Sequence, residues 1–288
     1  MVELLERLLA TIPVRNDLQV IVVDDCSTES IDALKAKYPS FAWYTTDFNG
    51  GAGKARNLGL EKAVGKWVLF ADADDYFTEE LNRMLDDYIG KDFDMVYFNV
   101  DIRDSNGRDC LKMSRFFKVR EKILYKNDVE RIRYRLTYPW AKLYSRRMIE
   151  SNGLRFQESV ISNDVMFSTQ CDYYSSRIHI DTRLFYTHIK RANSVSENKT
   201  RGNLLIKYDI HCQRYSFLKT HGCRIDNLVD YLGEAMVQYA RKKGGSKRTL
   251  FDISEKWGVK KSTMYCLYTH YIIRMYFVKF HRLWNSLL

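Results

Sequence analysis

Apolar residues fall in two recurring patterns over the first hundred positions. Leu4, Leu5, Leu8, Leu9 and Ile12 recur at helical spacing and predict a short amphipathic helix over residues 2–11. Val20-Ile21-Val22-Val23 is then an unbroken apolar run that stops at Asp24 and Asp25, which reads as a buried strand ending in carboxylates. Ser27 and Thr28 are placed to cap a helix whose inner face carries Ile31, Leu34 and Tyr38. A shorter strand is expected over Phe41 to Thr45. Lys66-Trp67-Val68-Leu69-Phe70-Ala71 repeats the first theme, because the run is too short for a helix and ends in Asp72, Asp74 and Asp75. It predicts a strand of a parallel sheet with its acidic mouth at the carboxyl end. Leu81 to Ile89 predicts a helix, Asp94 to Asn99 a strand, and Ser105-Asn106-Gly107 a hairpin turn.

Beyond this point the alternation weakens. Tyr138-Pro139-Trp140-Ala141-Lys142-Leu143-Tyr144 is dense in aromatics around one cation, a composition that either stacks on a sugar or caps a core. Ser162 is a natural cap for a helix beginning Asn163-Asp164-Val165, where Asp164 read alone is a charge satisfying the helix dipole. Ile178 to Asp181 and Leu184 to His188 predict short strands, and from Gly202 the pattern is helical, broken at the basic stretch 241–248. The expected class is therefore α/β over residues 1–200 with a helical, basic extension over 201–288. Residues 262–288 form a long helix thick with aromatics and interrupted by cations, and no window reaches the roughly 18 uncharged apolar residues of a membrane span. Such a helix either packs within the protein or lies on a bilayer with its cations at the headgroups.

An apolar fraction of 45% with 28% charged residues belongs to a folded globular chain, which excludes a disordered one. The six cysteines show no C-x-x-C pair, and the opening residues lack the basic-then-apolar order of a secretory signal, so free thiols in a reducing cytoplasm are expected. The net charge of +10 conceals an asymmetry. Residues 1–100 hold ten basic and eighteen acidic side chains, net −8, whereas the remainder hold thirty-six and eighteen, net +18. An acidic half suited to a metal is joined to a basic half suited to an anionic partner.

Asp72 and Asp74 share one side of an extended chain and together offer oxygen ligands to a hard divalent ion, at the sheet edge where α/β folds bind ligands. The plainer alternative is that Asp74 and Asp75 open the next helix behind Thr78-Glu79-Glu80. Upstream, Asn49-Gly50-Gly51-Ala52-Gly53-Lys54-Ala55-Arg56-Asn57-Leu58-Gly59 calls for positive φ or close approach at its glycines, and introduces a helix whose amino end is open to an anion. Its spacing is neither that of a P-loop nor that of a dinucleotide fingerprint.

Taken in order, Val22-Val23-Asp24-Asp25-Cys26-Ser27, the glycine loop through Gly59, and Phe70-Ala71-Asp72-Ala73-Asp74-Asp75 resemble the family 2 glycosyltransferases of the GT-A fold. The likeness continues through Pro139-Trp140-Ala141-Lys142-Leu143-Tyr144, Asn163-Asp164-Val165-Met166-Phe167 and Arg191-Ala192-Asn193-Ser194-Val195-Ser196, a set seen in bacterial cell-surface polysaccharide transferases. It covers roughly residues 1–200. The resemblance implies that Asp24 or Asp25 accepts from a uracil, that Arg56 lies by the base or diphosphate, and that Asp72 approaches ribose and metal. It makes Asp74 the principal ligand of Mg²⁺ or Mn²⁺, and Asp164 the base that deprotonates the incoming hydroxyl in an inverting displacement. Lys190 and Arg191 become diphosphate contacts and Trp140 a sugar platform. The implied partners are a nucleotide-sugar donor and a glycan or lipid-linked acceptor; the setting is cytoplasmic, the inner face of the cell membrane is added where the C-terminal helix lies on a bilayer rather than packing within the protein, and nucleic acid is not expected.

Two departures from the family pattern stand out. Glu-Asp is replaced by Asn163-Asp164. The family's opening strand, which ends in Pro-x-Tyr-Asn, is missing, since the chain begins within the helix that follows it, and Ile12-Pro13-Val14-Arg15-Asn16 only imitates that motif. The neighbours of a missing central strand would carry unpaired backbone groups, at about 1–3 kcal/mol each. Competing readings are a truncated or catalytically silent relative, a nucleotidyltransferase, and a DNA-binding helix-turn-helix over Ile253 to Met264.

Overall fold

The computed structural model describes residues 1–110, 124–191, 199–223, 225 and 228–273, and the chain divides into two compact units, Met1–Ser194 and Val195–Leu288. The first unit begins with α1 (Val2–Ala10), β1 (Ile21–Asp24), α2 (Asp32–Lys37), β2 (Ala42–Thr45), α3 (Ala52–Lys62) and β3 (Trp67–Leu69). It continues with β4 (Tyr76–Phe77), α4 (Glu80–Tyr88), β5 (Met95–Phe98) and β6 (Asp101–Asp104). After α5 (Val129–Ile132) come β7 (Lys142–Ser145), α6 (Arg146–Ser151), α7 (Asp164–Tyr174), β8 (Ile178–Asp181) and β9 (Tyr186–Lys190).

The central sheet has the order β3-β7-β5-β8 and is buried on both faces. Alternation along its strands sends Val68, Phe70, Met95, Tyr97 and Tyr144 to one face, where they pack with Met148, Ile149, Phe167 and Cys171 of α6 and α7. Trp67, Leu69, Val96, Phe98 and Leu143 go to the other face, against Leu81, Met84 and Tyr88 of α4. A sheet covered in this way needs apolar residues at consecutive positions, which is why β5 reads as an unbroken apolar run.

The strand directions are mixed. β1–β2, β5–β8 and β6–β9 are parallel, whereas β3–β7, β5–β7 and β4–β9 are antiparallel. The expectation of a parallel setting for the strand before Asp72 is corrected: its neighbour β7 runs opposite to it and comes from the aromatic segment that carried no strand prediction. A second correction follows at the acidic mouth. Residues 72–75 form a turn closed by Asp75 N–H on the Asp72 carbonyl at 3.0 Å, and β4 follows before α4. The carboxylates converge because the chain turns, not because it is extended, and they do not open the helix. The expected hairpin forms, with Arg103 bridged to Asp109.

Ser162 does not cap α7; it adopts a positive φ of 55° and leaves Asn163 as the cap residue without a side-chain capping bond. Ser27 and Thr28 likewise lie ahead of the α2 start, where Ser30 Oγ accepts the Asp32 N–H at 3.2 Å.

In the second unit, Thr200 caps α8 (Arg201–Thr220), α9 (Leu228–Ala240) follows, and Ser246 caps α10 (Lys247–Lys256). Gly258 turns the chain at φ 66° into helical residues 261–273, so the predicted helix–turn–helix shape is present locally. The rest of the predicted terminal helix lies outside the described residues. Among these, no helix is long and apolar enough to cross a membrane.

Candidate active site

The glycine loop is built by a carboxylate. Asp25, just past β1, accepts the N–H groups of Gly50 at 3.1 Å and Gly51 at 2.6 Å and the Thr46 hydroxyl at 2.9 Å. Gly51 takes a φ of 84°, as the sequence required of one of these glycines. Asp25 thus lies against the two residues that lead into α3. Asp24, the other member of the pair, accepts the Ser27 N–H at 3.2 Å, in a loop where Cys26 has a φ of 56°.

From that start, α3 docks onto the segment 156–163. Asn57 clamps Phe156 through both its amide groups, at 3.0 and 2.8 Å, and Gly53 lies so close that a Cβ there would collide with the Gln157 carbonyl oxygen. This docking brings Arg56 to the head of α7. Its guanidinium donates to Asn163 Oδ1 at 2.9 Å and to Asp72 Oδ1 at 2.6 Å, spanning two elements with one planar fork. Asp164 follows Asn163 and is half-buried. Desolvation lifts its carboxyl above the ordinary 3.8; nearby Arg56 opposes that lift and Asp72 adds to it.

The acidic turn receives the remaining cations. Arg191, just after β9, pairs with Asp74 Oδ2 at 2.5 Å, and Arg7 of α1 donates to the Asp74 carbonyl at 2.5 Å. Asp75 is 0% exposed; it accepts from the Tyr186 hydroxyl at 2.5 Å and from Ile189 N–H at 2.8 Å, and lies 3.2 Å from His188 Nδ1. Burial raises the Asp75 carboxyl above its usual range, and the His188 ring pulls the other way. Oxygens of Asp72, Asp74 and Asp75 lie within 4.8 Å of one another, a donor set that suits a hard divalent ion. Asp72 and Asp74, each half-buried, are the members that can turn outward.

Placement of the expected residues is thus uneven. Arg56 with Asp72 and Arg191 with Asp74 form two ion pairs at the acidic turn, and Asp164 adjoins Asn163, the second partner of Arg56, whereas Asp25 is committed to the glycine loop. Trp140 is corrected: it is 5% exposed, with Tyr138 stacked at 3.8 Å, His188 at 4.7 Å and Tyr186 at 5.6 Å, so no face is left for a sugar. Lys190 is exposed at the end of β9. Residues 192–196 of the last family block lie outside the described residues. Tyr186 and His188 carried a strand prediction but no role in the site, although their two-residue spacing in a strand puts them on one face.

The family model described as "Glycosyl transferase family 2" matches residues 1–153, more than half the chain. Poly(ribitol-phosphate) beta-N-acetylglucosaminyltransferase TarS of Staphylococcus aureus is 29% identical over 184 residues, covering 62% of this chain and 31% of that protein. Succinoglycan biosynthesis protein ExoO of Rhizobium meliloti is 27% identical, covering 62% of this chain and 54% of the other. The chain thus spans a third to a half of the length of these relatives. Among solved structures, TarS 1–349 in complex with UDP-GlcNAc superposes with a TM-score of 0.65 at 20% identity, over 88% of this chain and 76% of that one. The mannosyltransferase PcManGT from Pyrobaculum calidifontis, in complex with GDP-Man and Mn²⁺, gives 0.54 at 16% identity, over 99% and 84%. The fold is accordingly GT-A.

Proposed function

The chain belongs to glycosyl transferase family 2, and from that premise we propose that it moves a sugar from a UDP-sugar to a hydroxyl of a glycan or lipid-linked acceptor. The reaction is a metal-dependent, inverting step of cell-surface polysaccharide assembly at the inner face of the membrane. The observation that carries this reading is the meeting of Asp72 and Asp74 with Arg56 and Arg191, beside the half-buried Asp164. Polysaccharide-related names among the relatives, and the UDP-GlcNAc and Mn²⁺ complexes among the structural neighbours, support it.

Asp72 and Asp74 are the residues that would hold Mg²⁺ or Mn²⁺, and the bound ion would offset the negative charge gathering on the departing diphosphate. Arg56, held by Asn163 and paired with Asp72, supplies one planar fork for the diphosphate. Arg191 supplies a second fork for the diphosphate. Asp24 is the carboxylate of its pair with capacity left for a base N–H. Asp164 takes the acceptor proton; a carboxyl held above its ordinary range binds that proton more strongly than a solvated aspartate does. With the base on one side of the anomeric carbon and the diphosphate on the other, a single displacement inverts the centre.

UDP release from a panel of UDP-sugars, with Mn²⁺ or with EDTA, tests the proposal. Release is expected only with the divalent ion and is lost in Asp74→Asn. Equal release in EDTA would overturn the metal role, and a product of retained anomeric configuration would overturn the role of Asp164.

A further inference from the structure

The three-carboxylate cluster divides by function, and the division lies in how Asp75 is held. Asp75 adjoins Asp74, and oxygens of the three carboxylates lie within 4.8 Å of one another, yet the Asp75 side chain is buried and held from three directions. Its Oδ2 receives the Tyr186 hydroxyl at 2.5 Å, its Oδ1 receives the Ile189 N–H at 2.8 Å, and His188 Nδ1 lies 3.2 Å from both oxygens. All three partners come from β9. The Tyr186 hydroxyl also accepts the main-chain N–H of Asp72 at 3.1 Å, so one oxygen atom ties both ends of the turn that carries Asp72 and Asp74. β9 is itself fixed to the strand leaving this turn, with Tyr76 opposite Thr187 and Phe77 opposite Tyr186. Behind the hydroxyl and the imidazole, both rings stack on the buried Trp140.

We propose that Tyr186, His188 and Asp75 are positioning residues, which set the Asp72–Asp75 turn so that the Asp72 and Asp74 carboxylates face the donor together. This deepens the reading under Proposed function and rests on it. Asp75 is not a ligand in this arrangement, because turning it outward would break its bonds to β9. A hydroxyl that spans a turn fixes the spacing of the two outward carboxylates, and loss of such outer partners typically weakens metal binding by about 10–100-fold.

The test is Mn²⁺ binding at saturating UDP, followed by electron paramagnetic resonance on the full chain. Tyr186→Phe keeps the ring and its stacking but removes the bridging oxygen, and is expected to weaken Mn²⁺ binding about tenfold or more. Tyr88→Phe is the matched control, since Tyr88 also donates to a carboxylate, Asp181, at 3.0 Å, but away from the turn. It is expected to bind Mn²⁺ as the wild type does. His188→Leu is expected to behave like Tyr186→Phe, while His188→Asn, whose amide nitrogen can reach Asp75, restores most of the affinity; this pair carries the test if Tyr186→Phe does not fold. Wild-type binding with Tyr186→Phe unchanged, or an equal loss in Tyr88→Phe, overturns the positioning role alone. A wild type that binds no Mn²⁺ with UDP overturns the metal reading and this inference with it.

Discussion

Two glycines of α3 give opposite predictions for the same substitution. A Cβ built on Gly53 meets the Gln157 carbonyl oxygen in hard overlap and the Asn163 Cβ at 3.0 Å, and both belong to the segment docked on the helix. Gly53→Ala therefore forces that segment outward, at about 1–3 kcal/mol for overpacking a well-filled site, or roughly 3–9 °C in melting temperature for a unit of this size. The same displacement moves Asn163 away from Arg56, breaking a 2.9 Å bond to a charged donor that is worth about 1.5–3 kcal/mol, so UDP affinity falls about tenfold or more. Six residues on, a Cβ on Gly59 would sit 3.7 Å from Val23 Cγ2, an ordinary contact. Gly59→Ala then gains about 0.5–1 kcal/mol from helix propensity and a less flexible unfolded chain. Thermal denaturation and calorimetric titration with UDP on both variants decide the matter. A Gly53→Ala protein that melts at or above the wild type would refute the close-packing argument, and with it the account of how α3 delivers Arg56.

Asp164→Asn should lower kcat about 10²–10⁴-fold while UDP affinity stays near the wild-type value. Because desolvation raises the Asp164 carboxyl, the wild-type acid limb of kcat should lie above pH 3.8, with activity lost as pH falls through it. Arg56→Gln removes the opposing charge and should move that limb upward; a limb that moves down sinks the assignment. Trp140→Ala should cost about 3–5 kcal/mol in chemical denaturation, as a buried aromatic does, and a stable variant with a raised KM for donor would restore the platform role. Ser162→Gly should stabilise the chain by about 1 kcal/mol, since the residue sits at φ 55°; a lower melting temperature would mean that its side chain makes a needed contact.

What could be read ahead of the fold was whatever depends on a short window. The runs ending at Asp24 and Asp72 are strands, the glycine loop does contain both a positive φ at Gly51 and a close approach at Gly53, and Asp164 does start a helix. What could not be read depends on the partner. An apolar run gives no strand direction, so the antiparallel neighbour of β3 stayed hidden in the aromatic segment, where buried Lys142 breaks the apolar pattern. Trp140 has the same side chain whether it faces a sugar or three stacked rings. Asp25 and Gly51 are distant in sequence, so nothing local says that the carboxylate holds the loop that leads into α3.

The charge asymmetry acquires a meaning once these partners are known. The carboxylates at positions 72, 74 and 75 come from the half of net charge −8, and Arg56 from that half reaches Asp72. Arg191 and His188, which meet Asp74 and Asp75, come from the half of net charge +18. They arrive because β9 pairs with the short β4 that leaves the acidic turn. The family match stops at residue 153, before Asp164, Tyr186, His188 and Arg191. The stretch matched by the family model therefore supplies the acidic turn and Arg56, whereas Asp164 and the side chains that hold Asp75 come from residues beyond it.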